Sequence, residues 1–533
     1  MRVAQSTSVS DSAVSGFVRK RRGYGHPWLA LLAVSLGLMM VMLDATVVAI
    51  ANPAIGHDLH ASLSDLQWVT NAYLLAVAVL IITAGKAGDR FGRKRVFLCG
   101  VIGFALASAA CGFAPSIDAL IAFRAVQGCA GALLMPSTLA IIRAAFPERL
   151  LQQAIGVWAG VSMAAVASGP IVAGLVIQHS SWRWVFFLNV PLAIIAVGVG
   201  AWVIAESRDE KAVEESFDLA GMAVLCVSLF ALVWGIIKSQ SLGWGDVVVV
   251  SSLAASAAGF LLFVLREREA AHPLLPLKLF RKLSLSVGVV LMLMLAFALF
   301  GVVFFLSLYL QRVRGYSPVE TGVRTLPLTA AIVFAAPLGG VLSARFGPRP
   351  PLVGGMALLG TGMLGLSKLA WRTDYGDIWP WLLVIGLALG LVQAAATETI
   401  LGNAPVRMAG VAGGLQQTAL QIGGALGTAV LGAVLSGRVR ATLFGELTHA
   451  GVPPAVSRLI TPYSGYVAQG VSPASSPLLP ASLKPAVTEG AFNSFANGLD
   501  VAFVVAACIA FAAALLALLI RRDRADEERD RPD

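Results

Sequence analysis

The feature that most constrains this chain is a series of apolar runs, each of ~20 residues, that begins at Trp28 and continues almost to the C-terminus. As α-helix, such a run crosses the ~30 Å hydrocarbon core of a bilayer, where only helices and closed barrels satisfy every backbone N–H and C=O. Read between charged, Pro and Gly punctuation, the runs lie near 28–52, 66–86, 96–114, 118–142, 155–178, 187–204, 219–238, 246–265, 284–310, 323–345, 351–370, 379–400, 409–436 and 498–520. An all-α membrane protein of fourteen transmembrane helices is predicted. Composition agrees, since 13% charged residues is about half the share of a soluble domain.

Lys and Arg orient the spans, because cytoplasmic loops retain them. With the N-terminus inside, the cytoplasmic segments hold 27 of the 39 Lys and Arg, the outer loops 11, and Arg124 lies within a span. Both termini are therefore expected in the cytoplasm, with the lipid bilayer as solvent for the spans between them. The cluster Arg19 to Arg22 precedes the first run as in a signal peptide, but that run is too long for a signal core and is kept as a span. The formal charge of +10 does not imply nucleic acid, because the basic residues sit in short clusters between apolar runs. The five cysteines fall inside apolar runs without CxxC spacing, so no metal site or disulfide framework is indicated. The Pro- and Ser-rich segment 437–497 is expected outside, as a mobile cap rather than a binding module.

Two internal matches divide the chain. Gly85, Arg90-Phe91-Gly92 and a basic end recur as Gly340, Arg345-Phe346-Gly347 and Arg349, at an offset of 255. Gly156, Gly160 and Gly169 recur as Gly410, Gly414 and Gly423, at an offset of 254. Related offsets imply two homologous six-helix halves with a helix pair inserted between them. The expected organisation is a tail 1–27, a first half 28–204, an inserted pair with flanks 205–283, a second half 284–520 that includes the 437–497 loop, and a tail 521–533.

These motifs resemble the major facilitator superfamily, specifically its fourteen-span drug:proton antiporter branch. Gly85 to Arg95 matches the family's GxxxDRxGRxx signature, and the resemblance implies that Gly85, Asp89, Arg90, Gly92 and Arg93 form a cytoplasmic gate that latches the halves in the outward-open state. Arg124, Gln127 and Gly128 resemble its RxxQG motif. Gly156, Gly169, Pro170 and Gly174 resemble the antiporter signature of the fifth span, with Ala165 and Ala173 replacing two glycines. Leu43 to Val47 resembles the LDxTxV start of the branch, although Ala49 stands where Asn is usual and Asn52 follows instead. The implied fold is the major facilitator fold, and the implied activity is proton-coupled export of lipophilic drugs by alternating access.

Proton coupling needs a group that binds and releases a proton as its exposure alternates, and burial penalises the charged form of a carboxyl. Asp44 is the candidate, and Arg124, costly within a span, is its expected partner at a similar depth of ~9–12 Å. The pair is read either as a switch or as a permanent structural ion pair. Glu398 in the twelfth span is read equally as a solvated boundary carboxylate or as a ligand for substrate or proton. Candidate cavity residues are Thr46, Tyr73, Gln127, Trp158, Phe304, Tyr309 and Glu398, with Met292, Met294 and Phe297 also available for adaptable apolar contacts. The tenth span carries no acid, so small lipophilic neutral, zwitterionic or monocationic substrates are expected in preference to dications. No cofactor is expected, only the proton gradient as energy source. Export of an endogenous metabolite, lipid or siderophore is the main alternative, and a non-transporting receptor or scaffold a further one. HExxH, GxSxG and Walker-type loops are absent, so neither an enzyme nor an ATP-driven pump is indicated.

Overall fold

A computed structural model describes residues 26–208, 217–270, 273–405, 408–476 and 479–520. The cluster Arg19 to Arg22 and the tail 521–533 lie outside the described residues. Among the described residues, fourteen helical segments are long and apolar enough to cross a membrane. Their main helices are α1 (Pro27–Asp58), α2 (Leu63–Phe91), α3 (Arg93–Gly112), α4 (Ile117–Ala145), α5 (Glu148–His179), α6 (Asn189–Val203, extended to a full span by the short helix Arg183–Phe187), α7 (Leu219–Leu242), α8 (Val247–Glu269), α9 (Leu283–Leu308), α10 (Leu326–Phe346), α11 (Arg349–Ser367), α12 (Tyr375–Gly402), α13 (Ala409–His449) and α14 (Lys484–Ala517). Among the described residues there is no strand. The inner end denotes the end at which α1 begins, and the outer end its opposite.

Local chemistry sets the helix ends. Ser62 and Asp65 form a capping box on α2, Ser116 caps α4, and Asp218 and Asp246 cap α7 and α8. The repeated Arg-Phe-Gly motifs stop α2 and α10 in the same way: Gly92 and Gly347 take φ of +107° and +82°, where only glycine is unstrained. Large side chains such as Leu106, Trp202, Val247 and Phe334 are exposed on the outside of the bundle, as helices solvated by lipid require.

The halves are α1–α6 and α9–α14, and they meet symmetrically: α2 packs on α13, while α5 packs on α10 and on the short helix Pro318–Arg324 before it. The repeat glycines occupy equivalent seams. Gly169 of α5 faces Thr46 of α1, and Gly423 of α13 lies against the Leu293 carbonyl of α9. The inserted helices α7 and α8 pack on each other, with α7 resting against α2 and α13.

Contacts between the halves concentrate at the outer end. A Cβ on Gly174 would meet the Pro318 carbonyl at 2.6 Å, and one on Gly322 the Pro170 carbonyl at 2.3 Å, so the α5 backbone and the short helix touch directly. Gln311 donates to the Ile50 carbonyl (3.0 Å) and Arg312 to that of Pro53. Toward the inner end, a Cβ on Gly156, Gly160, Gly410 or Gly413 would meet nothing within 4 Å, although Gly414 of α13 still packs on Ile82 of α2. The molecule is therefore sealed at the outer end.

The connection expected over 437–497 is much shorter. Helix α13 continues to His449 and α14 begins at Lys484, with Pro485 in its first turn. Polar pairs hold the two extensions together: Thr442 with Ser494 (3.0 Å) and Asn497 with Glu446 (2.9 Å). Hydropathy marks where the apolar surface stops, whereas helices can continue into water on polar contacts.

Candidate functional site

Asp44 on α1 and Arg124 on α4 meet in the core of the first half. Each is 1% exposed, and Arg124 Nη1 lies 2.5 Å from Asp44 Oδ2. Gln127, one helical turn after Arg124, joins both: its Nε2 donates to Asp44 Oδ1 (2.9 Å) and its Oε1 accepts from Arg124 Nη1 (2.7 Å). A carboxamide can donate to an anion and accept from a cation at once, so Gln127 closes the triad with no charge of its own. Arg124 Nε donates to the Val69 carbonyl (3.1 Å), and the guanidinium carbon lies 4.4 Å from the centroid of the Tyr73 ring. An ion pair with these further bonds offsets the desolvation that would otherwise exclude it from an apolar core.

The remaining cavity candidates separate. Phe304 of α9 and Tyr73 border a void of about 20 Å³ beside Arg124, together with Thr70, Ala49 and Thr428, so the first half's ion pair lies next to the interface with the second. That volume suffices for about one water. The Tyr73 hydroxyl is buried with no hydrogen-bond partner among the described residues. Thr46 lies one face away, bonded to the Leu43 carbonyl (3.0 Å) and packed on Gly169. Trp158 is partly buried on α5, and its indole N–H has no partner among the described residues. Tyr309 does not join the cavity. It is fully buried in a π-helical turn that ends α9, and its hydroxyl donates to the Ala370 carbonyl (2.6 Å) beyond α11. Glu398 is exposed one turn before the end of α12, as a solvated boundary carboxylate would be. Asn52 is buried, and neither amide atom has a partner among the described residues.

The gate residues contact the first half and the flanks of the inserted pair. Asp89 pairs with Arg93 at 2.8 Å, Gly85 lies against Pro136, and Gly88 against Ser137 of α4. Glu206, just past α6, receives the Lys94 N–H (3.1 Å) and lies 3.6 Å from Arg95, and its carboxyl occupies the space a Cβ on Gly92 would need. The Arg90 guanidinium stacks over Phe91 and Phe217. Lys86 donates to the Pro273 carbonyl (3.4 Å), which links the gate helix to the segment after the inserted pair. Nearby, Arg266 pairs with Asp218 at 2.6 Å. Burial pushes the Asp218 carboxyl up, but the Arg266 guanidinium and the Gly221 N–H outweigh it and hold Asp218 below its ordinary value.

Of the antiporter-motif residues, Gly169, Pro170 and Gly174 make close inter-helix contacts, whereas Gly156 lies in open space. Sequence reasoning missed a polar chain across the halves. Gln67 donates to the Thr428 carbonyl (2.7 Å), Thr428 Oγ1 to Asn71 (2.8 Å), and Gln240 of α7 to Gln67 Oε1 (2.6 Å). The only available signal was the presence of neutral amides inside apolar runs. Glu206 likewise had no signal beyond its place after the sixth span.

Two six-helix bundles in the membrane, related by an internal repeat and carrying a buried charged cluster beside their interface, define a membrane transporter. Residues 34–428 match the Major Facilitator Superfamily, and the chain belongs to that family. It is 46% identical to the tetracenomycin C resistance and export protein of Streptomyces glaucescens, covering 94% of this chain and 93% of that one. It is 31% identical to the multidrug efflux pump LfrA of Mycolicibacterium smegmatis, covering 95% and 98%. Its fold matches a bacterial homologue of the human lysosomal transporter Spinster, solved inward-facing and unoccupied, with a TM-score of 0.61 at 20% identity, covering 95% and 100%.

Proposed function

We propose that this chain is a proton-coupled antiporter of a bacterial inner membrane, with both termini cytoplasmic, that exports small lipophilic compounds. The observation that carries the coupling is the sealed triad of Asp44, Arg124 and Gln127 beside the interface of the halves. Export of drug-like compounds is supported by relatives named for tetracenomycin C export and multidrug efflux.

In the inner-open form the substrate enters between the halves while Asp44 is held by Arg124 and Gln127. Once the outer end has opened, a proton arriving at Asp44 from outside displaces the substrate and removes the anion. Arg124 is then a buried cation whose charged partner is gone, a state costing roughly 3–5 kcal/mol when such a pair is broken. That cost drives rearrangement of α1 against α4, and through Thr46 and Gly169 it reaches α5 and the outer seal. Release of the proton inside restores the pair, so the proton gradient sets the direction. A lipophilic cation in the cavity competes with Arg124 for the charged carboxylate, which makes substrate and proton alternatives at one group. When the inner end closes, Asp89 and Arg93 exchange their mutual contact for partners in the second half.

Everted vesicles under an imposed pH gradient test this reading. A panel of lipophilic compounds should elicit proton release from vesicles carrying the parent chain and none with Asp44→Asn. Export by Asp44→Asn that still follows the gradient would remove Asp44 from the coupling.

A further inference from the structure

A cleft of about 860 Å³ opens at the outer end over the seam between the halves. Its walls come from four separate parts of the chain: His60 between α1 and α2, Gln240 at the end of α7, Arg440 and Phe444 on the extension of α13, and Arg458 and Tyr466 in the connection beyond it. Arg440 and Arg458 are both exposed, and neither makes an ion pair among the described residues. Arg440 is positioned by donation to the Gln240 carbonyl.

The connection beyond α13 supplies no counter-charge. Between Glu446 and Glu489 there is no Asp or Glu. Carboxylates on neighbouring elements have other partners: Asp65 accepts from the Ser62 N–H, Asp58 holds Trp182 and Arg183, and Glu446 accepts from Asn497. Two unneutralised guanidinium forks in one concave site form a receptor for a carboxylate, sulfonate or phenolate. Phe444 and Tyr466 offer flat apolar faces, and the volume falls within the roughly 300–1,000 Å³ of small-molecule sites.

We infer that this outer cleft binds a small, free aromatic anion. Because its walls belong to the first half, the inserted helix and the second half, a bound anion holds them in the arrangement seen here, with the outer end sealed. The inference does not depend on proton coupling, and it survives if Asp44 proves uninvolved in transport.

The test is calorimetric titration of the full chain, in phosphatidylcholine nanodiscs, with 1,5-naphthalenedisulfonate. Saturable binding is expected, weakened about tenfold or more by Arg440→Gln with Arg458→Gln, since charge-assisted hydrogen bonds are the strong ones. Arg440→Lys with Arg458→Lys keeps the charge but not the fork, so it should bind between the parent and the double Gln variant and serves as the folding control, and the single Arg458→Gln, at an exposed position, should already weaken binding. Neutral 1-naphthalenemethanol should not bind. Absence of saturable binding to the parent, parent-like affinity in the double Gln variant, or equal binding of the neutral compound would overturn the inference. So would loss of binding in phosphatidylglycerol nanodiscs, which would make a lipid headgroup the occupant.

Discussion

Gln127 shows how much one neutral side chain decides in a membrane core. Both oxygens of Asp44 are occupied, one by the charged guanidinium and one by the Gln127 amide, and Arg124 is shared between them. Gln127→Leu keeps the approximate size but removes both bonds and leaves Asp44 Oδ1 without a donor. Thermal unfolding in detergent should show destabilisation of about 1–3 kcal/mol, the usual cost of stranding a buried polar group. An unchanged melting profile would mean that the amide is not bonded as described. The charged pair itself was legible in the sequence, because Asp or Arg inside an apolar run is costly enough to demand a partner. Tyr309 was not, since an aromatic residue in a run carries no sign of whether it faces a cavity or a neighbouring turn.

At the scale of elements, glycine contacts set where helices touch and where they part. Gly174 and Gly322 let α5 and the short helix Pro318–Arg324 meet backbone to backbone, and no side-chain rotation relieves a Cβ placed there. Gly174→Ala should therefore loosen the outer seal. A cysteine introduced at Ala49, beside the small void, should react faster with an impermeant maleimide added from outside in that variant than with Gly174 intact; equal rates would contradict the assignment of the seal. The alternative substitution at Gly156, where an added Cβ meets nothing, should leave the labelling rate unchanged. The motif did not distinguish these glycines, because small residues serve close packing and open surfaces with the same letter. The ends of α13 and α14 were misjudged for a related reason: Thr442, Glu446, Ser494 and Asn497 look like loop residues in a hydropathy reading, yet they pair helix to helix above the apolar layer.

Across the whole molecule, the inserted pair is bound into the transport machinery. Gln240 reaches the seam of α2 and α13 through Gln67, and Ser436 and Arg440 of α13 reach back to Gln240. Gln240→Leu should detach α7 from that seam. The Ala49 cysteine should then become more reactive from outside, while insertion and yield stay near those of the parent; no change would reduce the pair to a lipid-facing addition. The fourteen spans were readable because bilayer thickness leaves a periodic imprint on sequence. The bridge through Gln67, Asn71, Thr428 and Gln240 was not, because neutral polar residues interrupt an apolar run too weakly to stand out, and their partners lie some 170 to 360 positions away.

The central claim is that substrate and proton exclude one another at Asp44. Titration of the purified chain in detergent with tetraphenylphosphonium at a series of pH values tests it without any gradient. Binding by the parent should weaken as the pH falls, while binding by Asp44→Asn stays constant; the same pH dependence in both would contradict the claim.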